Sequence, residues 1–249
     1  MKPMDTFGLV RIFLRTLLVQ GSLNFSRMQN LGFAFALMPW IRAQAARSGN
    51  VPELLRRHLQ YFNTHPYFVA PIVGAVLHME QNGEDGGEEV ARLKTALMGP
   101  YAAIGDAFFW GALKPLSSIA AFFPAFIGMP VAPLVLLILY NPPHIALRIA
   151  GFVTGCRYGR MSVEFVRRLE LPDLGRRLRQ AAAAVLGAAA ALALSASGAE
   201  WLEAWRITGE LAVLPAILLL FVALRRGIPR IGLQYGLVGI CCVVSYFYG

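Results

Sequence analysis

The sequence predicts an all-α integral membrane protein, with an amphipathic N-terminal helix, re-entrant helical hairpins and several transmembrane helices. Three observations lead there. Of 249 residues, 57% are hydrophobic and 15% charged, against roughly 25% charged in soluble domains. Mean hydropathy is +0.55. Uncharged runs of spanning length recur toward the C-terminus. Of the 23 cations, all arginine except Lys2, Lys94 and Lys114, eleven gather at 148–179 and 225–230 beside those runs.

The N-terminal element comes first. Phe7, Val10, Leu14, Leu17 and Leu18 recur at helical spacing beside Arg11 and Arg15. That pattern suits a helix lying on a membrane surface, or one packed on the protein itself. The two arginines interrupt the apolar stretch and no small-residue cleavage site follows, so a cleavable signal is not expected. Two apolar stretches of re-entrant length come next, Phe68–Met79 and Met98–Pro115, each carrying proline and glycine. Glu80–Glu89 (EQNGEDGGEE) between them reads as a solvated linker.

Leu116–Leu147 is uncharged over 32 residues, but Pro124, Pro130, Pro133, Pro142 and Pro143 interrupt it. Proline removes a helix hydrogen bond, which predicts a broken span, or a re-entrant segment followed by a span. Ala181–Ala199 and Ile231–Gly249 each run 19 residues without a charge, near the roughly 20 that a spanning helix needs. Leu211–Leu224 is shorter. Residues 1–249 are therefore expected to form one membrane domain. Its first part, 1–115, holds the amphipathic helix and core segments, and 116–249 holds the broken span and the C-terminal helices.

Arginine placement sets the expected orientation. Eight arginines lie between Arg148 and Arg179, and three more at Arg225, Arg226 and Arg230. The positive-inside rule places loops 148–180 and 225–230 in the cytoplasm and the C-terminus outside. A basic excess of 23 Lys and Arg over 14 Asp and Glu also suits nucleic acid. Its clustering beside apolar runs favours the bilayer, and no nucleic-acid partner is expected.

The chemistry lies in polar residues set in apolar surroundings. Asp106 is the one formal charge between Met98 and Leu113, and an acid at membrane depth is rare and expensive. It reads either as a helix N-cap or as a ligand-binding carboxylate. Trp110, four residues on, projects on the same side of a helix. A carboxylate accepts hydroxyl hydrogens and an indole face packs on the C–H face of a sugar ring, so the pair suits a neutral polyol. Asn24, Arg27, Gln29 and Asn30 either match hydroxyl pairs or only cap a turn. Asn63-Thr64-His65-Pro66 reads as a polar turn able to offer hydrogen bonds. His58 and His65 have no third ligand at metal spacing, so no metal site is expected. No G-x-S-x-G, Walker loop or paired carboxylates occur, so no catalytic residues and no cofactor are expected. Cys156, Cys241 and Cys242 read as small apolar fillers.

Three stretches carry a family resemblance: QGSLNFSRMQNLGFAFALMPWIR (20–42), RRHLQYFNTHPYFVAPIVGAVL (56–77) and LMGPYAAIGDAFFWGALKP (97–115). In order and spacing they resemble the IID subunit of mannose/fructose/sorbose-type phosphotransferase systems, from Arg11 to about Arg168. The resemblance implies a multi-pass subunit of the bacterial inner membrane that pairs with a IIC subunit, the pairs assembling as trimers of heterodimers. It implies transport of a hexose that the IIB subunit phosphorylates with phosphate relayed through IIA, IID itself being non-catalytic. It implies Asn24, Asn63, Asp106 and Trp110 as sugar-facing residues; His65, in the polar turn and standing where relatives commonly have another polar residue, is the fifth candidate. Relatives often have Trp-Asn-Phe-Glu where this chain has Leu23-Asn24-Phe25-Ser26, and Gly-Asp-Pro where it has Gly105-Asp106-Ala107. These departures keep a second reading open, a scaffold or sensor of a divergent system that passes no sugar.

Overall fold

A computed structural model describes residues 4–48, 51–83, 87–196, 215, 218–229, 231–233, 235–236, 238–239, 242 and 246. The chain divides into two compact units, Met1–Ala191 and Leu192–Gly249. Helices dominate, and the described residues include isolated bridges but no strand. The expected all-α class is observed.

Helix α1 is Thr6–Thr16. Asp5 caps it, its carboxylate accepting from the Gly8 amide at 3.0 Å, which satisfies one of the free donors of the first turn. Gly8, Ile12 and Thr16 face inward, while Phe7 (67% exposed), Val10 and Leu14 face out. A short 3₁₀ turn, Val19–Ser22, leads toward α2, Asn30–Ser48. Gly32 of α2 lies against that turn: a Cβ there would stand 2.5 Å from the Val19 carbonyl oxygen. Helix α3, Val51–His58, precedes an extended connection that reaches a second 3₁₀ turn, Pro66–Phe68.

Helix α4, Val69–Asn82, is the core element, buried from Val69 through Leu77. It ends at Gly83 in the left-handed region (φ 66°), whose amide returns to the Met79 carbonyl, the usual glycine helix stop. Gly87 (φ 85°) then starts α5, Glu88–Gly105. The helix does not stop at Gly105. It continues through a π-helical segment, Asp106–Leu113, into α6, Lys114–Phe126. Asp106 is thus not at a helix start and caps nothing, and Met98–Pro115 is continuous helix rather than a broken segment. Pro100 sits inside α5. Pro115 falls where the ladder leaves the wider π register, marked by the Lys114 amide bonding to the Phe109 carbonyl five residues back. A missing donor is tolerated where the ladder changes.

The break expected within Leu116–Leu147 is present at Ile127–Val131, where Gly128 turns the chain (φ 73°). Helix α7, Ala132–Tyr158, takes Pro133 in its first turn and runs through Pro142 and Pro143. After a 3₁₀ turn at Gly159–Ser162 come α8, Val163–Arg168, and α9, Leu171–Ala196. The arginine-rich stretch 148–180 is therefore mostly helical rather than a loop. Arg167 and Arg168 bond Glu164, and Arg176 bonds Asp173. Among the described residues, Ala132–Ala193 contains a helical stretch long and apolar enough to cross a membrane, only 11% of it buried within the chain. Glu200–Glu210 lies outside the described residues, as do parts of Ala181–Ala199, Leu211–Leu224 and Ile231–Gly249. The described part of 218–225 is helical and exposed.

Helices α4 and α7 touch backbone to backbone. A Cβ on Gly74 would stand 2.5 Å from the Phe152 carbonyl oxygen, and one on Gly155 2.7 Å from both the Ala75 nitrogen and the Pro71 oxygen. Gly151 meets the Pro71 ring. Gly151-Phe-Val-Thr-Gly155 is thus a small-x-x-x-small contact, the device that lets helices approach closely in an apolar medium.

Glu80 ends the α4 core rather than opening a solvated linker. Its Oε1 lies 2.8 Å from Arg57 and 3.2 Å from His58 Nε2. Burial raises the Glu80 carboxyl, but hydrogen bonds and charge from His58 and Arg57 outweigh it and hold it below the usual value. Beside this group Lys94, 3% exposed, donates to the His58 carbonyl at 3.3 Å. Its ammonium stands 4.6 Å from the Phe33 ring centre. Burial pulls that ammonium down to about 8.

Two predictions follow from this packing. Gly155→Ala must spread α4 from α7 against rigid backbone, an overpacking cost of about 1–3 kcal/mol. Gly187→Ala, with nothing within 4 Å of the new methyl, should gain a few tenths to 1 kcal/mol. Thermal unfolding in detergent should move down for the first and slightly up for the second; equal midpoints would mean that the helices separate freely. The second concerns Lys94. Below its folded value of about 8, both states carry the charge and folding bears the whole desolvation penalty. Above the ordinary value of 10.5 neither does, so stability rises across that interval. The unfolding midpoint should climb over this range in the unsubstituted chain and stay flat in Lys94→Met, whereas parallel slopes would place the pH response on another group.

Candidate functional site

Two polar connections are knotted together at one end of the core. Met28, in the left-handed region (φ 56°), bridges to Asn24 and to Phe62. Gln29 pairs reciprocally with Thr64, its amide nitrogen donating to the Thr64 carbonyl at 2.8 Å and its oxygen accepting from the Thr64 amide at 3.1 Å. Asn30 and Arg27 both donate to the Leu59 carbonyl, at 2.7 and 3.2 Å. The Asn24 side chain is fully used. Its nitrogen donates to Met28 oxygen and to Asn30 Oδ1, and its oxygen accepts from Ser26 and from the Arg27 amide. An Asn side chain offers two donors and one acceptor oxygen with two lone pairs, so the turn occupies all of Asn24. Of the two sequence readings of this cluster, turn-building is the one its hydrogen bonds follow.

The knot fixes 59–65, a turn at 59–60 followed by non-helical chain, and aims it at α5. The Asn63 amide reaches Met98 sulfur at 3.4 Å and the Thr64 hydroxyl donates to the Met98 carbonyl at 3.1 Å. Asn63 itself is half-buried. His65 follows, 1% exposed, and caps the Pro66–Phe68 turn by accepting from the Tyr67 amide at 3.2 Å on Nδ1. Its ring lies against Gly105, where a Cβ would collide with it. Burial, then the charge of Arg148, lowers His65 to about 4, so the imidazole is neutral. Its Nε2 is buried with no hydrogen-bond partner.

Around His65 stands an aromatic cluster. It stacks on Phe109 at 5.4 Å and leans on Trp110 and Tyr67, each 4.7 Å between ring centres. From α7, Tyr140 bonds Tyr67 through their hydroxyls at 2.9 Å, and His144 stacks on Tyr67 at 4.3 Å. Arg148 places its guanidinium 4.5 Å over the same Tyr67 ring. His144 Nδ1 and Arg148 Nε are, like His65 Nε2, buried without a partner.

Asp106 and Trp110 lie on the π segment next to this cluster, both exposed, Trp110 at 47%. Among the described residues the Asp106 carboxylate makes no hydrogen bond or ion pair. The structure thus gathers Asn63, His65, Asp106 and Trp110 onto two adjoining elements and leaves Asn24 in the supporting knot. Sequence reasoning missed Tyr67, Tyr140, His144 and Arg148. His144 stood alone in sequence and Arg148 counted as a loop charge; only Pro142-Pro143 signalled an unusual stretch of α7. A cavity of about 440 Å³ lies elsewhere, between α1 and α7, and shares none of these residues.

Known proteins resemble this chain in sequence and fold. The profile of the PTS mannose/fructose/sorbose family IID component matches residues 4–203. The mannose-specific EIID component of Escherichia coli K12 is 39% identical over 153 residues, 59% of this chain and 54% of that protein. The fructose permease IID component of Bacillus subtilis is 34% identical over 175 residues, 68% of this chain and 60% of that protein. The matched stretch thus spans little more than half the length of these curated relatives. Among solved structures, a complex of the mannose transporter ManYZ with microcin E492 contains a chain matching at TM-score 0.60 and 26% identity, with 100% of this chain and 98% of that one covered. A membrane protein of solved structure matches at TM-score 0.74, also 26% identical, covering 98% of each chain. This chain belongs to the mannose/fructose/sorbose family of phosphotransferase-system (PTS) IID components.

Proposed function

We propose that this chain is the membrane-embedded IID subunit of a PTS sugar permease, forming with a IIC subunit the path that binds and carries a hexose whose phosphorylation the IIB subunit performs. The observation that carries the reading is the pairing of an unpartnered carboxylate, Asp106, with the exposed indole of Trp110 beside the buried, neutral His65. In this reading Asp106 accepts hydroxyl hydrogens in charge-assisted bonds. Trp110 packs against the C–H face of the ring, and the half-buried Asn63 amide adds one donor and one acceptor. Asn24 acts through the knot by holding 59–65 in place. Both Asp106 and Trp110 are exposed on the isolated chain, so a partner subunit is the natural wall to close the site and exclude water.

Nothing in this arrangement calls for a phosphorylated residue on the chain, and phosphoryl transfer is assigned to the soluble partners. The arginine-bearing ends of α7, α8 and α9 face the cytoplasm of the inner membrane, and the exposed apolar face of α1, from Phe7 to Leu14, lies on the membrane surface. The re-entrant character is assigned to α4, whose buried run is too short to span. Pairs with IIC are assigned to trimers on the resemblance alone.

Replacing the carboxylate tests the reading. Asp106→Asn keeps the shape and removes the charge. A hydrogen bond to a charged group is worth about 1.5–3 kcal/mol, so hexose binding by the co-expressed IIC–IID pair should weaken roughly ten- to a hundredfold. Binding measured by calorimetry and uptake in cells should fall together. Unaltered affinity would remove Asp106 from the site. Uptake that persists when this chain is deleted and IIC retained would favour the scaffold reading motivated by Leu23, Ser26 and Ala107.

A further inference from the structure

We infer that the cavity between α1 and α7 is a seat for one acyl chain of an anionic glycerophospholipid, whose phosphate rests on Arg157. The inference rests on the membrane reading of α7 but on none of the sugar-site residues.

The cavity is about 440 Å³, within the usual size range of ligand pockets. Leu9, Phe13, Ile149, Phe152 and Val153 line it with carbon. Such a volume beside a wet surface would be poorly filled by water, which needs two to four polar partners. Of the residues lining it, Val10 on α1 and Ile149 and Val153 on α7 are themselves exposed. The cavity therefore opens onto surface that is itself apolar, as a lipid-facing groove must.

Three polar side chains, Thr6, Gln81 and Arg157, enter this lining, and the last two are suited to a phospholipid. Arg157, near the C-terminal end of α7, is exposed and, among the described residues, has no acidic partner. Its neighbours Arg167 and Arg168 share Glu164, and Arg176 has Asp173. A guanidinium left unpaired at the edge of an apolar groove matches a phosphate, which it can hold through two parallel bonds. Gln81, at the end of α4, supplies the second group. Its Nε2 is buried with no hydrogen-bond partner while the residue lines the cavity. A donor in that state lacks an acceptor, and an ester carbonyl at the base of a lipid headgroup is one. Gly8 leaves space for Met4 to fold beneath α1, since a Cβ there would collide with the Met4 methyl, and Met4 closes one end of the lining.

Charge sets the choice of lipid. Anionic lipids concentrate on the cytoplasmic leaflet, where one basic residue near the surface contributes about a fivefold preference. A zwitterionic lipid offers the same chain and the same phosphate but cancels the charge with its amine.

Native mass spectrometry of the full chain, purified in a neutral detergent and titrated with phosphatidylglycerol or phosphatidylcholine, tests this site. The expected result is one retained lipid with phosphatidylglycerol favoured about fivefold. Arg157→Ala should abolish the preference, Arg157→Lys should keep most of it, and Arg167→Ala should leave it intact. Val153→Trp should reduce retention of both lipids by filling the groove. Equal retention of the two lipids by the unsubstituted chain would overturn the proposal, as would a preference that survives Arg157→Ala. Displacement of phosphatidylglycerol by excess inorganic phosphate would also overturn it, because the headgroup alone would then account for binding. Lipid retention is read without sugar, so failure here bears on this groove and not on the permease reading.

Discussion

The close approach of α4 to α7 is the constraint on which the remaining geometry depends. Gly74, Gly151 and Gly155 remove the side chains that would hold the two backbones apart, and α4 becomes almost entirely buried as a result. In an apolar solvent there is little hydrophobic gain in bringing two helices together, so contact must come from dispersion over closely matched surfaces. Everything at the candidate site hangs from this pair. The turn carrying His65 and Tyr67 leads directly into α4, while Tyr140, His144 and Arg148 project from α7. Spreading the helices by even an ångström would part Tyr67 from the residues that stack on it and bond to it.

The knot between 24–30 and 59–64 adds the second fixed point. Backbone that is neither helix nor strand must find partners for its amides and carbonyls. Here they come from Gln29, Asn30 and Asn24. A non-glycine residue, Met28, is held with positive φ at its centre, a conformation that surrounding bonds must enforce. The payoff is rigidity: an extended segment held at both ends delivers His65 to Gly105 with little freedom to drift.

Much of the fold was legible because it is written in hydropathy and in residues with fixed backbone preferences. The amphipathic period of α1 and the break near Pro130 each follow from a local rule. The Gly151-x-x-x-Gly155 spacing is equally present in the sequence, where the charges and prolines of that stretch mask it. What was not legible is long-range. Glu80 looks like part of an acidic linker until α3 brings Arg57 and His58 to it. Arg148 looks like a cytoplasmic charge until α7 proves to extend through it. Gly105-Asp106 is a good cap sequence, which is why one of the two readings of Asp106 is an N-cap, but capping requires that the preceding residue leave the helix. Gly105 is helical (φ −64°, ψ −47°).

That last difference bears on how the polar residues should be weighed. A side chain set in apolar surroundings has two ways to be tolerated: the backbone can use it, or a ligand or partner can. Asn24, Gln29 and Asn30 fall in the first class, since the side-chain nitrogen and oxygen of each find partners within the chain. Had Asp106 capped a helix, it would have joined them, with its oxygens committed to nearby amides. Instead the ladder runs unbroken through it, in the widened π register that recurs at functional positions, and its carboxylate is left without a partner among the described residues. His65 Nε2, His144 Nδ1 and Arg148 Nε are also without partners and, unlike the exposed Asp106, are buried. Unsatisfied polar atoms converging beside an open aromatic face are costly for a chain that folds alone. The proposed second subunit and hydroxylated cargo are what would complete them.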